Sequence, residues 1–292
     1  MKYSKNIFCL VIFLRTCLGS NIFERRNVQI KQPFTENILL RKLKILNRLI
    51  CFTQCIECNQ CHYVLFNSSI CHFSSSFIFE KINSKKINLI NYWPIENGET
   101  KDLVASKDLY ESVNVTFTQD RFGNNNSALS FHYGYIRAPK GIYFQNEFTV
   151  LAWIKLKEYV LWQKFFDFGN GKAISNVVVS LSNDYSNRNS FHIFNLTEYR
   201  ISTINELVLD EWVHLGFVLE NGKMSIFKNG SRDAFIDTGE QYPVDIVDRE
   251  HCYFGKSNWD NSNAVFDCDD IKFFDRALTE TEIQNENIYG NH

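Results

Sequence analysis

The chain has 292 residues, with 31 Lys and Arg against 33 Asp and Glu, for a formal charge of -2. A charge so near zero argues against nucleic acid as a partner, and 4 Pro with 13 Gly exclude collagenous or Pro-rich stretches. At about 150 residues per domain there is room for two domains, or one large and one small, and the 45% hydrophobic fraction supplies a core.

Residues 1–19 read as an export signal. Lys2 and Lys5 form a basic start, Ile7 to Leu14 an apolar run, and Cys17-Leu18-Gly19 a small-residue cleavage site. Arg15 comes early and leaves an uncleaved anchor or a later start open. The apolar run is far short of the ~20 residues that cross a bilayer, so no membrane span is expected. A secreted, extracellular chain follows. Five N-x-[ST] sequons agree with export, at Asn67, Asn114, Asn125, Asn195 and Asn229. Asn229 sits in a turn that must face solvent.

Between the signal and the first cysteine the chain is locally basic, through Arg25, Arg26, Lys31, Arg41, Lys42, Lys44 and Arg48. Heparin-like polyanions are a small extra expectation there. Beyond Cys9 and Cys17 in the signal, the cysteines form two groups: Cys51, Cys55, Cys58, Cys61 and Cys71, then Cys252 and Cys268. In an exported chain this pattern reads as a small stapled domain followed by a large domain with one bridge. Zinc is disfavoured, because the CxxC steps overlap and an oxidising compartment favours disulfides. Cys51 and Cys55 are four apart and share a helix face. The pairing drawn from this is Cys51–Cys71 and Cys55–Cys61, with other pairings open. Cys58 is then spare, either a buried thiol or a link between chains in a disulfide-bonded oligomer.

Residues 51–73 resemble the PAN/apple-like modules of extracellular proteins, through ICFTQC and CHYVLFNSSICHF. In that family a helix carries two cysteines, and a cysteine-led strand with aromatic residues follows. Cys51, Cys55, Cys61 and Cys71 take those positions, and Tyr63, Leu65 and Asn67 give the alternating strand. The resemblance implies a small, disulfide-rich α+β module over residues 28–80 that holds protein or glycan ligands and carries no catalytic residues.

From Asn91 onward the apolar period is two. Phe148, Val150, Ala152, Ile154 and Leu156 alternate with a second face, as do Val177, Val179 and Leu181. Val213, Leu215, Phe217 and Leu219 repeat the pattern. Asn221-Gly222 and Asn229-Gly230 then mark two type I′ hairpin turns, so residues 212–236 are a three-stranded antiparallel meander. The one helix lies at the end, in ALTETEIQNENIY. Thr279 and Glu282 make a capping box, Leu278 and Ile283 staple its entry, and its Ile283 and Ile288 side is expected to face the sandwich. Short strands without βαβ repeats mean an all-β antiparallel sandwich or jelly roll.

Residues 91–290 resemble the laminin G/concanavalin A-like lectin superfamily, in its pentraxin-related branch. Four segments carry the likeness in order: WPIENGETKDLVASKDL, FTVLAWIKLK, EWVHLGFVLENGKMSIFKNG and DDIKFFDRALTETEI. The resemblance implies a concanavalin A-like jelly-roll sandwich, a bridge Cys252–Cys268, and structural roles for His214, Asp269, Asp275, Arg276, Leu278 and Glu282. Asp269 and the adjacent Asp270 would pin the last strand and the Asp275-Arg276 turn, and His214 would hydrogen-bond within the sandwich.

Relatives on this fold include glucanases, which need two carboxyls about 5–5.5 Å apart for retention or further apart for inversion. A Glu-x-Asp-x-Glu strand would present them, and none exists here. Nucleophile and phosphate-binding motifs are missing as well. The chain is therefore read as not an enzyme. Calcium is the cofactor the sequence leaves open, since it takes about six to eight loop oxygens and relatives place it at the sandwich rim. Its candidate ligands are Asn183, Asp184, Asn258 and Asp260, with Asn261 beside them. Asp184, Tyr185, Asn258, Trp259 and Asp260 are the candidate ligand-binding residues, Tyr185 and Trp259 as aromatic platforms. Asn- and Asp-rich loops are also ordinary turn chemistry. The leading reading is a secreted, non-catalytic recognition protein that binds glycan or extracellular protein through rim loops. The alternatives are a structural matrix or coat component assembling through disulfides, and a polysaccharide hydrolase.

Overall fold

The computed structural model describes residues 88–289 except 184, 185 and 262, together with the backbone of five N-terminal strands. The chain divides into two compact units, Met1–Lys86 and Ile87–His292. In the first, β1 (Phe8–Cys17), β2 (Ser20–Gln29), β3 (Leu39–Lys44), β4 (Tyr63–Asn67) and β5 (Ile70–Ser74) form a sheet in the order β2-β1-β4-β5-β3. β1 runs through the expected signal, and β4 and β5 coincide with the strands expected around Cys71. Residues 51–62 lie outside the described residues. So do the helix expected there, the pairings Cys51–Cys71 and Cys55–Cys61, and Cys58.

The second unit is built of antiparallel strands and one short helix. Its strands are β6 (Leu89–Trp93), β7 (Tyr110–Thr118), β8 (Ala128–Arg137), β9 (Phe148–Leu156), β10 (Lys164–Gly169), β11 (Val177–Ser180) and β12 (Arg188–Asn195). They continue as β13 (Thr197–Glu206), β14 (Trp212–Glu220), β15 (Lys223–Lys228), β16 (Ser231–Asp237), β17 (His251–Phe254) and β18 (Ala264–Phe274). Hydrogen-bonded neighbours run β13-β12-β11-β10-β17-β8-β18-β9-β14-β15-β16, with β6 also on β18 and β7 on β8. The β17–β8 junction is short, pairing Tyr253 with Arg137 and Phe254 with Ile136. The strands on either side of it form two layers that close on one core.

That core follows from the period of two. Phe148, Val150, Ala152, Ile154 and Leu156 of β9 meet Phe166 and Phe168 of β10, Phe191 and Ile193 of β12, and Phe217 of β14, all fully buried. Phe168 and Phe273 stack at 5.6 Å, and Trp93 meets Phe254 and Phe273 edge-on at 5.8 and 5.6 Å. Each buried Phe contributes about 1.5–3 kcal/mol of apolar transfer. The meander forms as the Asn-Gly pairs require, with φ of 48° and 73° at Asn221-Gly222 and 48° and 83° at Asn229-Gly230. Both signs are positive, as a type I′ turn needs.

The helix, α1 (Glu280–Tyr289), starts at its capping box. Thr279 N–H donates to Glu282 Oε2 at 2.8 Å, and Glu282 N–H returns to Thr279 Oγ1 at 3.3 Å. Arg276 grips the same carboxylate through both of its Nη atoms, at 2.9 and 2.8 Å. Burial works against this charge, but the bonds from Arg276 and Thr279 bring the Glu282 carboxyl down to about 2. Ile283 and Leu278 pack on Leu151, Val218, Phe227 and Phe274, on the outer side of β9, β14, β15 and β18. Ile288 does not join them and is 48% exposed; the second turn is held instead by Glu286, which accepts from Lys272 of β18 at 2.7 Å. No helix among the described residues is long and apolar enough to cross a membrane.

The expected bridge Cys252–Cys268 is not formed. Both thiols are free and buried in the core. Cys268 lies beside Leu129 at one end of β8, whereas Cys252 accepts a bond from Ala138 just past the other end. Nine residues along one strand separate the two positions by roughly 30 Å, against a ceiling near 7 Å between the Cα atoms of a disulfide. Burial raises both thiol pKa values, that of Cys252 to about 12.

β18 carries a bulge: Asp269 opposes Trp153 and Lys272 opposes Leu151, three residues against two. Asp270, at φ 54°, is the residue in the left-handed region. The bulge turns both carboxyls toward Arg121, which bonds Asp269 at 2.9 Å and Asp270 at 2.7 Å while stacking on Trp153 at 4.6 Å. Tyr92 adds its hydroxyl to Asp270 at 3.0 Å. The acids therefore do hold the last strand, but through Arg121 and Tyr92. Asp275 holds the following turn differently, its backbone N–H donating to the Asn88 carbonyl. His214 packs its ring on Trp153 at 5.2 Å, on this outer face. Its expected side-chain hydrogen bond within the sandwich does not form at Nδ1, which has no partner among the described residues. Burial drops its pKa to about 3, so the ring is neutral.

Two stability predictions follow from this packing. Cys252→Ala and Cys268→Ala should each cost about 1 kcal/mol and add independently in urea unfolding. A bridge would instead cost about 2–5 kcal/mol at the first removal and little more at the second. Arg121→Met should destabilise the fold more the higher the pH, by up to about 3–5 kcal/mol once both carboxyls are ionised, because it removes the cation that bonds them both. Burial raises both carboxyls, Asp269 to about 9. Their stability contribution is whole below the ordinary carboxylate range and is lost as pH rises toward 9. The variant's deficit should therefore shrink at pH 5; melting curves from pH 4 to 9 that show a constant deficit would contradict this.

Candidate functional site

The outer face of β10–β13 combines aromatic rings and polar groups. Strand alternation produces it. While Val177, Val179, Phe191, Ile193 and Ile201 enter the core, the alternate positions turn outward: Ser180 on β11, then Ser190, His192 and Phe194 on β12, then Glu198, Arg200 and Ser202 on β13. Register sets them in rows. Lys164, Ser180, Ser190 and Ser202 lie side by side across four strands, and Asp167, Val178, His192 and Arg200 form the next row.

Two loops bring tryptophans to this face. Trp162 precedes β10 at φ 57°, and its ring lies 6.3 Å from His192. Trp259 follows β17 and lies 5.0 Å from Phe194. His192 and Phe194 are themselves parallel at 6.2 Å. Trp162, His192, Phe194 and Trp259 thus make a row of four rings along β12, with both tryptophans and Phe194 half-buried.

Asp167 fixes the Trp259 loop. Its fully buried carboxylate accepts from Asn176 Nδ2 at 2.7 Å, from Asn258 N–H at 2.7 Å and from Asn258 Nδ2 at 2.9 Å. Burial raises its pKa, and the bonds from Asn258 and Asn176 oppose the rise. Asn258 is therefore a strut for the loop, through its N–H and its Nδ2. Asp260 is exposed and paired with Lys172 at 2.5 Å.

Three polar side chains form a relay on this face. Ser190 Oγ lies 2.8 Å from His192 Nε2, and His192 Nδ1 lies 2.8 Å from Glu198 Oε1. Burial lowers the His192 pKa, so the ring is neutral: Nδ1–H donates to Glu198 and Nε2 accepts from Ser190. The bond from His192 in turn lowers Glu198. This is the order of a nucleophilic relay. Ser190, however, is 0% exposed between Ser180 and Ser202, with no approach for a carbonyl carbon. What the relay does is fix the His192 ring and the half-exposed Glu198. Lys164 is 4% exposed and donates to Ser180 Oγ at 2.8 Å. Burial lowers its pKa to about 8.

The expected calcium ligands do not converge. Asn183 is buried, bonded to Ser186 and Ser202, and joined through its N–H to the Arg188 carbonyl at the start of β12. Asn258 and Asp260 belong with Trp259, near Phe194 at the other end of that strand. Six residues of strand put the two sets roughly 20 Å apart. Asp184 and Tyr185 lie outside the described residues. Among the described residues no three His, Cys, Asp or Glu side chains cluster as metal ligands. A cavity of about 300 Å³ lies elsewhere, lined by Glu96, Asp120, Arg121, Asn124, Asp269 and Asp270. Its two deepest acids are the pair already bonded by Arg121.

Of the sequons, Asn114, Asn125 and Asn229 are exposed and Asn195 is half-buried, while the Asn67 side chain lies outside the described residues. Asn229 also accepts the His214 N–H through its Oδ1 at 3.0 Å. Of the residues on the aromatic face, the sequence reading had found Trp259 and missed Trp162, Lys164, His192, Phe194, Glu198 and Arg200. The signal was present in the alternation of NSFHIFN and TEYRIS, whose outward sets are Ser190-His192-Phe194 and Glu198-Arg200-Ser202.

Comparison with solved structures returns the same fold. Domain 4 of AbnA, a GH43 extracellular arabinanase from Geobacillus stearothermophilus solved with arabinotriose, is 17% identical with a TM-score of 0.54, over 68% of this chain and 97% of that one. The botulinum neurotoxin serotype G binding domain is 16% identical with a TM-score of 0.55, over 70% of this chain and 51% of that one. A botulinum neurotoxin type C structure, whose cell entry depends on interaction with two ganglioside molecules, is 13% identical with a TM-score of 0.53, over 70% and 52%. The chain thus spans about half the length of these two neurotoxin chains. At such identities the likeness is one of fold. No curated protein matches the sequence. The family model described as the concanavalin A-like lectin/glucanases superfamily matches residues 130–284, more than half of the chain. The chain belongs to that superfamily.

Proposed function

We propose that this chain is an exported, non-catalytic recognition protein that binds glycan on the outer face of β10–β13. The observation that carries this reading is the row of Trp162, His192, Phe194 and Trp259, flanked by Glu198 and Arg200. A sugar ring has an apolar C–H face and a polar rim. Aromatic rings beside a few fixed polar groups are the surface that suits it. The rings stand on strands or on a loop tied down by Asp167, so little ordering cost is left for binding. The domain of AbnA was solved with arabinotriose, and type C neurotoxin interacts with gangliosides, so the fold does hold glycans in other chains.

A binding role is supported by how the acids of this face are used: Glu198 holds His192, and Asp167 holds the Trp259 loop. Export is supported by the N-terminal sequence pattern and by the exposure of three sequons. The free thiols of Cys252 and Cys268 do not bear on compartment, since both are shut off from oxidant in the core.

A glycan array probed with the full chain, with calcium and again with chelator, tests the reading. Binding is expected in both conditions, because the rings and fixed polar groups of the face are themselves the contacts proposed for the sugar. Trp259→Ala should weaken the bound glycan at least tenfold, which is about 1.4 kcal/mol. Binding that persists undiminished in that variant would move the site elsewhere. A blank array with well-folded protein would turn the search to protein partners.

A further inference from the structure

The strand path of the second unit ends at β13 and β16, and β7 hangs from β8 as a third strand that is paired on one side among the described residues. An open strand edge is a template for pairing with another copy, and charged side chains are a common guard against it. β13 carries Glu198, Arg200 and Glu206, and β16 carries Arg232, Asp233 and Asp237. β7 has Glu111 near its start, but from Ser112 to Thr118 it reads SVNVTFT, with neither charge nor proline. Along it Val113 is 42% and Phe117 38% exposed. A neutral stretch rich in β-formers on an open edge is a hazard for self-association.

Two bulges bend one half of this edge. Glu111 at φ 48° and Asn114 at φ 52° stand at the register shifts, and β8 makes room for the second with Gly134, where a Cβ would lie 2.3 Å from the Asn114 carbonyl oxygen. From Val115 on Phe131 to Thr118 on Ala128 the pairing is regular, so the other half keeps an ordered outer edge. Asn114 stands at the bend, exposed, and is the first residue of an N-x-T sequon.

We infer that an N-linked glycan on Asn114 guards the β7 edge, as a bulky, hydrated chain that keeps a second copy from pairing along it. The inference rests on the export reading and goes beyond glycan binding, since it concerns sugar the protein carries and not sugar it binds. The glycan does by bulk on β7 what charges do on β13 and β16.

The test uses the full chain secreted from a eukaryotic cell, with changes at Thr116, the exposed residue that completes the sequon. Thr116→Ser keeps the glycan and Thr116→Ala removes it. Thr116→Lys removes it and puts a charge on the edge. All three leave Asn114 at its positive φ, which Asn takes more readily than most residues. Mass spectrometry of glycopeptides should find Asn114 loaded in the wild type and in Thr116→Ser. In sedimentation, Thr116→Ala should self-associate about tenfold or more tightly than Thr116→Ser, with Thr116→Lys as weak as the wild type. Should Thr116→Ala fail to be secreted, wild type trimmed by an endoglycosidase should show the same rise. Equal association of the Ala and Ser variants would overturn the inference. So would Thr116→Lys associating as tightly as Thr116→Ala, because the contact would then lie off this edge. Asn125 or Asn229 loaded while Asn114 is bare would overturn it and leave export standing; a chain retained in the cell with every sequon bare would end both readings.

Discussion

The buried carboxylate of Asp167 is the point on which the aromatic face depends. It sits on β10 and gathers bonds from Asn176, which opens β11, and from Ser257 and Asn258, which follow β17. A carboxylate without water costs several kcal/mol unless its lone pairs are filled. The chain fills them with the backbone and amides of the very loop that carries Trp259. The loop is thereby fixed over β10, and Trp259 is set against Phe194. Without that anchor the segment 256–261 would be an Asn-rich surface turn, and the row of rings would end at β12.

The opposite layer shows the same tactic with a different purpose. There the β18 bulge turns Asp269 and Asp270 outward together, and Arg121 closes over them from the β7–β8 loop. The cluster ties that loop, β6 and the last strand into one piece, while α1 covers the neighbouring apolar patch. Both outer faces thus use buried charge to fix loops. They differ in how the charges are met. Around Arg121 the two acids meet that guanidinium and the nearby ammonium of Lys272, and the cluster closes on itself. Around Trp162, Lys164 and Arg200 stand near Asp167 and Glu198, whose own hydrogen bonds go to neutral groups. The first arrangement ties down a strand, and the second holds the groups around the aromatic row in place.

The parts of the fold legible in the sequence were those dictated by local chemistry. Asn-Gly pairs need positive φ, so the meander of β14–β16 could be placed to within a residue. Thr279 and Glu282 cap each other across three positions, so the helix start was fixed. The site was harder, because it depends on which strands become neighbours. Ser190, His192 and Phe194 alternate plainly, yet only the register of β12 with β13 shows that His192 meets Glu198. Lys164 reads as the ordinary lysine of a strand end until β11 places Ser180 beside it and Trp162 folds over it. The Cys252–Cys268 bridge failed for the same reason. Sixteen positions apart in sequence, the two cysteines belong to strands separated by β8, at opposite ends of it.

The same register explains why the rim-loop reading gave way to a face. Asn183 and Asn258 looked like partners because both stand in Asn-rich loops, but β12 runs its length between them. Loops at opposite ends of a strand cannot share an ion of ordinary size; they can bound the two ends of a groove. The strand between them then supplies the floor, and its outward residues decide what the groove accepts. Along β12 those residues are a buried hydroxyl, a neutral imidazole and a phenyl ring. Lys164 and Arg200 lie against Trp162 at one end, together with Glu198. The chemistry of such a groove lies in that row of rings and fixed polar groups, which sequence alone scatters over four strands and two loops.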